Sequence, residues 1–206
     1  MEEWKFDSLI EKFYSSLTEG SKREYLMLFS DLQIQIEGWF RGELMNYLKN
    51  EKVKITVYNR EVPINNNNRR KVDLRIEVNN EFYWIELKHI LVGCQRNNTY
   101  SFRSYFSDNT YIHNDIKKLY DIDKSNKRQL GYSVAFISTN YSCDKCKYPN
   151  FEEIDSRERL RERYEEVKEN KTDIQQSISH VSCNYDSITH FGYLLLEIKM
   201  NNDDVN

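Results

Sequence analysis

Proline, glycine and long apolar runs are scarce in this sequence. Only 2 of the 206 residues are proline and 6 are glycine, so a long flexible linker between two domains is not expected. No apolar run approaches the roughly 20 residues that a membrane-spanning helix needs. The N-terminus, Met1-Glu2-Glu3-Trp4, lacks the basic start and apolar stretch of a signal peptide. We therefore expect one soluble, intracellular (cytoplasmic) domain over residues 1–206, with no membrane partner.

Cysteine is also scarce, with only 4 in the chain, but two of them are closely spaced. Cys143 and Cys146 form a C-x-x-C pair, and His180 and Cys183 follow downstream. Three thiols and one imidazole suit a tetrahedral structural zinc ion. Free thiols and a disulfide are the alternatives, and an intracellular location disfavours the disulfide.

The chain lacks the positive net charge that is typical of nucleic-acid-binding proteins. Its formal charge at pH 7 is −3. Clustered acids at one site can offset basic patches elsewhere, so the local distribution of charge matters more than the sum. The net charge therefore does not exclude a nucleic-acid partner.

Two adjacent segments, 72–78 and 82–88, have the alternating pattern of β-strands. Side chains two apart on a strand share a face, so Glu86 and Lys88 point the same way. Asp73 heads the first of these strands, on the side that Glu86 of a paired strand also occupies. Two carboxylates at one place suit a hard cation, and a lysine lies beside them.

The order of helical and strand patterns predicts a mixed α/β (α+β) fold with a central mixed sheet flanked by helices. An N-terminal helix covers the core (about 1–20), the core spans about 21–140, and a C-terminal helix and strand lie within about 150–200. The predicted elements of the core are a long helix (about 21–50), strands near 53–58, 72–78 and 82–88, a helix near 111–120 and a strand near 131–139.

Over roughly residues 35–140, this order and the Asp73 and Glu86-Leu87-Lys88 residues resemble the PD-(D/E)XK nuclease superfamily, which includes restriction endonuclease-like and Holliday junction resolvase-like folds. The family core is α-β-β-β-α-β. The resemblance implies that Asp73, Glu86 and the Leu87 backbone carbonyl bind Mg²⁺ or Mn²⁺. It also implies that Lys88 orients the attacking water molecule or helps to deprotonate it. Val72 stands where many members have proline, a departure that the family tolerates.

The resemblance also implies a catalytic role for Glu43 in the first core helix, and Glu61 resembles a further acid found before the hairpin. Glu43 lies in a mostly apolar helical stripe, where an acid needs a cation, a hydrogen bond or a route to water. A glutamate that simply reaches solvent is the alternative. Gly38 and Gly42, four residues apart in the same helix, predict close packing of a strand or helix.

Basic residues near these positions are candidates for contacts with DNA phosphates. Lys118, in the helix after the hairpin, matches the position at which members of this family often carry a basic residue directed towards the substrate. Asp115 of the same helix is expected to pair with Lys118 or Lys88. The other candidates are Arg69, Arg70 and Lys71 in the polar turn before Asp73, and Arg96 and Arg103 in a long aromatic segment (93–109) that we predict to be a functional loop. The alternatives are a solvated loop for the turn and, for the aromatic segment, packing of two or three of its rings on the core.

Taken together, the resemblance implies a metal-dependent nuclease that hydrolyses phosphodiester bonds of DNA, with a 5′-phosphate on the product. Many related nucleases form homodimers that cut two strands. Two alternatives stay open: a catalytically inactive DNA-binding protein with a nuclease-like fold, and a protein-interaction module that a structural zinc ion stabilises.

Overall fold

The computed structural model describes residues 4–32, 34–51, 55–64, 67–95, 98–108, 110–122, 128–141, 153–171 and 176–200. Helices cover both faces of one mixed sheet, as the sequence predicts. The helices are α1 Phe6–Thr18, α2 Gly20–Leu32, α3 Glu37–Asn50, α4 Tyr111–Tyr120 and α5 Arg157–Glu169, with a 3₁₀ helix at Phe102–Phe106. The strands are β1 Ile55–Ile64, β2 Asn67–Val78, β3 Glu81–Gln95, β4 Asn98–Tyr100, β5 Gln129–Asn140, β6 Ile178–Asp186 and β7 Phe191–Ile198.

The strand order of the sheet is β1-β2-β3-β5-β7-β6, and the short β4 pairs with the end of β3. Strands β2 and β3 form an antiparallel hairpin whose turn residues Asn79 and Asn80 have φ values of 50° and 67°. A two-residue turn of this kind matches the twist of the two strands. Strands β3 and β5 are parallel, so the chain must cross over between them, and the 3₁₀ helix and α4 lie in that crossover.

Strand β3 lies at the centre of the fold and contributes to both hydrophobic cores. Ile85 and Leu87 face one core, which is covered by α1, α2 and α3. Trp84 and Ile90 face the other core, which is covered by α4, α5 and the 3₁₀ helix. Because both faces are buried, the polar side chains of β3 are enclosed by helices on either side.

The long helix predicted for 21–50 is wrong, because the chain forms two helices, α2 and α3. At the start of α3, the N–H of Ile36 donates to the buried His89 side chain at 3.2 Å instead of joining the previous helix. The carbonyl of Ile36 accepts the N–H of Phe40 at 3.0 Å and so begins α3. A tertiary contact, and not proline or glycine, thus sets this boundary.

Three smaller expectations also need correction. The basic residues 69–71 belong to β2, which begins at Asn67, and not to a turn; Asp73 therefore lies in the middle of its strand. The segment 93–109, expected to be a loop, contains the end of β3, the short β4 and a 3₁₀ helix; Phe102 and Phe106 of that helix are fully buried, as the packing alternative expected. The C-terminal region has two strands, β6 and β7, where one was expected.

The outer side of α2 carries an apolar surface. Seven large apolar side chains are exposed in the described ranges, and five of them lie between Tyr25 and Ile34. By contrast, only Leu26 and Ser30 of this helix are buried. Within the described ranges, no helix combines the length and apolar character that crossing a membrane requires.

Candidate functional site

The site begins where strands β2 and β3 separate. Their paired register runs from Val78 opposite Glu81 to Leu74 opposite Ile85. Beyond this register, the backbone N–H of Leu87, two residues after Ile85, donates to the Asp73 carboxylate at 2.9 Å. The N–H and C=O of one strand residue point to the same side, so the Leu87 carbonyl faces this opening as well. The expected ligands Asp73 and Leu87 therefore lie at one point on the edge of β3.

Helix α3 supplies two charged side chains on the side of this opening that faces the first core. Arg41 lies 3.1 Å from the other Asp73 oxygen, and both side chains are largely buried, with 17% and 18% exposed. One helical turn earlier, Glu37 lies 3.4 Å from the Lys88 ammonium. The spacing of four residues places Glu37 and Arg41 on one flank of α3. Neither residue was expected at the site from the sequence.

His89 fixes the position of α3 beside Lys88. Its Nδ1 accepts the N–H of Ile36 at 3.2 Å, so Nε2 must carry the ring proton and donate to Ser138 at 2.9 Å. Burial lowers the pKa of His89 to about 3, and the ring is therefore neutral at physiological pH. A neutral, doubly hydrogen-bonded imidazole holds the start of the helix that carries Glu37.

Helix α4 supplies an acid and a lysine from the opposite face of the sheet. Asp115 lies 3.8 Å from the Lys88 ammonium and 3.4 Å from that of Lys118, so it pairs with both lysines that the sequence named as its partners. Lys118 also donates a close hydrogen bond to Glu86. Lys88 is thereby held between Glu37 of α3 and Asp115 of α4.

Burial dominates the electrostatics of the acids. Glu86 is only 3% exposed, and burial, reinforced by the negative charge of Asp115, raises the pKa of Glu86 to about 9. Burial also raises the pKa of Asp115, against the opposing pull of Lys88 and Lys118. These acids hold a proton more tightly than exposed carboxylates do.

Burial lowers the pKa of the lysines, but the neighbouring acids raise it by more. For Lys88, burial favours loss of the proton, yet Asp115 and Glu37 raise the pKa above its ordinary value. The pKa of Lys118 is likewise raised against burial by Glu86 and Asp115. Both lysines are therefore charged at neutral pH.

The charges of the site balance only when one of its acids is protonated. Four acids face three basic groups, which leaves one negative charge in excess when all are ionised. Because the pKa of Glu86 is raised to about 9, its retained proton removes this excess at neutral pH, and a bound cation would have to replace that proton. We refer to these seven side chains as the charged cluster: Glu37, Arg41, Asp73, Glu86, Lys88, Asp115 and Lys118.

The donor set of the charged cluster fits a hard divalent cation. Carboxylate and carbonyl oxygens are the ligands that Mg²⁺ and Mn²⁺ prefer. The Asp115 Oδ2 atom is buried and has no hydrogen-bond partner among the described residues. However, no three acid, histidine or cysteine side chains of the described ranges already converge on one point. Arg41 and Lys118 lie against Asp73 and Glu86, so a cation must displace basic side chains to bind there.

Glu43, expected to be catalytic, lies outside the charged cluster. It forms an ion pair with Lys22 of α2 at 2.6 Å. Each residue advances about 100° around a helix, so Glu43 lies about 200° from Arg41, on the flank that faces α2. Glu37, at the start of the same helix, lies beside Lys88 instead.

The glycines of α3 do not have the packing role that was expected. A Cβ atom added at Gly38 or at Gly42 would meet nothing within 4 Å. Neither position therefore requires glycine for close approach of another described element.

The candidate DNA-binding residues are dispersed. Lys118 belongs to the charged cluster, and Lys71 is exposed on the strand that carries Asp73. Arg70 forms an exposed ion pair with Asp121 at 2.9 Å. Arg103 pairs with Glu166 of α5 at 2.7 Å, on the helix that borders the second core and not at the charged cluster. Arg96 and the side chains of Arg69 and Glu61 lie outside the described residues.

The structure describes two of the four proposed zinc ligands. His180 and Cys183 both lie in β6, and residues three apart on a strand point to opposite faces. His180 is exposed, 3.6 Å from Asp7 of α1, whereas Cys183 is a buried free thiol in the core under α4 and α5. These two side chains do not converge on one metal. Cys143 and Cys146 lie outside the described residues.

The site thus consists of acids and bases from both helical layers that meet at the separated edge of β3. Comparisons of the chain with known protein families, with curated proteins and with solved structures find no match.

Proposed function

We propose that this protein is a metal-dependent nuclease that hydrolyses phosphodiester bonds of DNA. The observation that carries the proposal is that Asp73, the buried Glu86 and the Leu87 backbone lie together at the point where β2 and β3 separate, beside the charged Lys88. Asp73, Glu86 and the Leu87 carbonyl are the groups that would hold Mg²⁺ or Mn²⁺. When bound at such a site, the ion lowers the pKa of a coordinated water and neutralises charge on phosphoryl oxygens.

The electrostatics of Lys88 define its part in this proposal. Because its pKa is raised, Lys88 carries its proton at neutral pH and does not serve as a proton acceptor. Its ammonium group instead orients a water molecule by donating a hydrogen bond and stabilises negative charge that develops on the phosphate. Glu37 and Asp115 hold the ammonium from two sides, which restricts the directions in which it can point.

The basic residues around the acids suit a polyanionic substrate. Arg41 and Lys118 lie within the charged cluster, and displacement from Asp73 and Glu86 by a cation would make their charges available to phosphate oxygens. Arg70 and Lys71 extend the positive charge along β2. Contacts of this type position a nucleic-acid backbone without reading its sequence.

Cleavage assays on several DNA structures test the proposal. Single-stranded, duplex, flapped and four-way-junction DNA would be incubated with the protein and Mg²⁺ or Mn²⁺, and again with EDTA. We expect cleavage only with the metal, and the preferred DNA structure identifies the class of nuclease. Metal-independent binding of DNA without cleavage would favour a catalytically inactive DNA-binding protein instead.

A homodimer and an intracellular (cytoplasmic) location belong to the same proposal. Paired subunits would supply two sites for cutting two strands. Sedimentation velocity of the purified protein, with and without duplex DNA, distinguishes one subunit from two. A monomer under both conditions would contradict the homodimer without affecting the chemistry of a single site.

A further inference from the structure

Helix α3 presents two glycines to solvent. Gly38 and Gly42 are exposed, and a Cβ atom added at either would meet no described atom within 4 Å. Glycine within a helix is less stable than alanine, because it gives up more conformational freedom on folding. A positive φ does not explain them, since among the described glycines only Gly20 and Gly93 have one. A close contact with another molecule would explain glycine at both positions.

Helix α2 carries a row of apolar side chains on its outward side. Tyr25, Leu28 and Leu32 follow one another at spacings of three and four residues, and they are 55%, 50% and 50% exposed. Ile34, 42% exposed, follows the helix and donates its N–H to the Phe29 carbonyl at 3.2 Å. We refer to Tyr25, Leu28, Leu32 and Ile34 as the apolar ridge.

The apolar ridge and the two glycines lie side by side. The rings of Phe29 and Trp39 meet edge to face with their centroids 5.4 Å apart, which identifies the flanks of α2 and α3 that face each other. Each residue advances about 100° around a helix, so Leu32 lies about 60° from Phe29 on the outward side of α2. By the same count, Gly42 lies about 60° from Trp39 on the outward side of α3. The two helices therefore form one surface, with a protruding half and a flat half.

The apolar area of this surface suits a dimer interface. A half-exposed side chain of this size exposes on the order of 100 Å², so the apolar ridge presents roughly 400 Å². A stable interface buries about 800 Å² on each partner, of which a little over half is apolar. The apolar ridge alone supplies most of that apolar share.

The shape of the surface favours a second copy of this chain as the partner. A two-fold dimer requires a surface that is complementary to itself. A two-fold axis between α2 and α3 places the ridge of each copy against the glycines of the other, and helices associate by packing ridges into grooves. The exposed acids Glu24 and Asp31 lie on the flank of α2 away from α3, so the like charges of two copies do not meet at the axis.

We propose that two copies of this chain pair through the surface of α2 and α3, with the apolar ridge of each copy packed against Gly38 and Gly42 of the other. This inference rests on the homodimer of the proposed function and names its interface; it does not depend on a metal or on cleavage. Arg41 lies about 60° from Gly38 on the other flank of α3, so the second copy would border the charged cluster.

The test is sedimentation equilibrium of the full-length wild type and two variants, without DNA. Leu28→Glu places a charge on the apolar ridge twice in each dimer, so we expect the dissociation constant to rise at least about a hundredfold. Gly38→Gln combined with Gly42→Gln fills the flat half with side chains that favour a helix. We expect this variant to raise the dissociation constant about tenfold or more, with undiminished helical circular dichroism. The control, Ile188→Glu, changes a side chain that is 58% exposed between β6 and β7 and should associate as the wild type does.

The outcomes separate this interface from the rest of the proposed function. If the wild type dimerises and both variants dimerise equally well, the interface is wrong while the homodimer stands. Weaker association of Leu28→Glu alone would overturn the contact with the glycines. A wild type that is monomeric with and without duplex DNA would overturn both the interface and the homodimer, and cleavage by a single subunit would be unaffected.

Discussion

The Asp73 carboxylate accepts the backbone N–H of Leu87 at 2.9 Å, in place of the backbone acceptor that continued strand pairing would supply. This contact coincides with the end of the paired register between β2 and β3. The resulting opening admits Arg41 from one helical layer and Asp115 from the other. The charged cluster therefore depends on where the hairpin separates as much as on the residues themselves.

Replacement of Glu86 by glutamine should make the stability of the folded protein less dependent on pH. The raised pKa of Glu86, about 9, means that the folded protein keeps a proton that the unfolded chain has lost above its usual pKa near 4.5. Stability from this group is therefore complete below about pH 4.5 and declines as the pH rises towards 9. Glu86→Gln cannot lose a proton, so its stability relative to the wild type should increase between pH 6 and pH 9. Urea unfolding across this range measures the difference, and Glu162→Gln, on an exposed acid of α5, is the control.

Removal of the Arg41 charge should increase metal affinity. Arg41 lies 3.1 Å from Asp73 and competes with any cation for that carboxylate. We expect Arg41→Met to bind Mn²⁺ severalfold more tightly than the wild type and to bind DNA more weakly, because a phosphate-binding charge is lost. Calorimetry and a DNA-binding assay measure the two effects. Arg159→Met, at an exposed ion pair of α5, should change neither, and a loss of Mn²⁺ affinity in Arg41→Met would contradict the competition.

Replacement of His89 should destabilise the protein and change its response to acid. His89→Ala leaves the Ile36 N–H and the Ser138 hydroxyl without their present partner, and we expect a loss of about 2 to 4 kcal/mol. The pKa of His89 is lowered to about 3, so the folded protein takes up this proton less readily than the unfolded chain. Its contribution to stability is therefore present above about pH 6.5 and declines as the pH falls towards 3.

Chemical denaturation at pH 7 and pH 5 tests both statements for His89. The variant should lose less stability than the wild type between these two values. The exposed His180, replaced by glutamine, is the control and should behave like the wild type. Equal acid sensitivity of His89→Ala and the wild type would show that His89 is not held neutral.

Lys88 should matter more for turnover than for metal binding. Lys88→Met removes the ammonium that lies between Glu37 and Asp115 and keeps most of the side-chain volume. We expect a decrease in cleavage rate of about a hundredfold or more, while Mn²⁺ affinity stays equal or rises because a positive charge is lost. Single-turnover cleavage and Mn²⁺ titration of the same variant measure the two quantities. A rate close to that of the wild type would exclude Lys88 from the reaction.

The strands and their faces were predictable from the sequence, because strand alternation is a local property. The alternation between residues 82 and 88 correctly put Glu86 and Lys88 on the side away from Ile85 and Leu87. Asp115 and Lys118, one helical turn apart, were correctly expected to interact. The extended ends of β2 and β3 were missed, since their pairing depends on partners elsewhere in the chain.

The composition of the charged cluster was less predictable, because it depends on tertiary contacts. Which face of α3 meets β3 is set by the bond between Ile36 and His89, and no proline or glycine marks the break before it. Without that boundary, the sequence favoured Glu43, whereas the structure brings Glu37 and Arg41 to the site. The sequence also did not indicate that His180 and Cys183 share one strand, on which their side chains point to opposite faces.

The most direct test of the proposed function compares DNA cleavage by the wild type and by Asp73→Asn at equal protein concentration, with Mg²⁺, with Mn²⁺ and with EDTA. Circular dichroism of both proteins establishes that the variant is folded. We predict cleavage by the wild type that requires the metal, and a rate at least about a hundredfold lower for Asp73→Asn, because a charged ligand is lost. Cleavage at an undiminished rate by folded Asp73→Asn, or wild-type cleavage that persists in EDTA, would contradict a metal-dependent nuclease at this site.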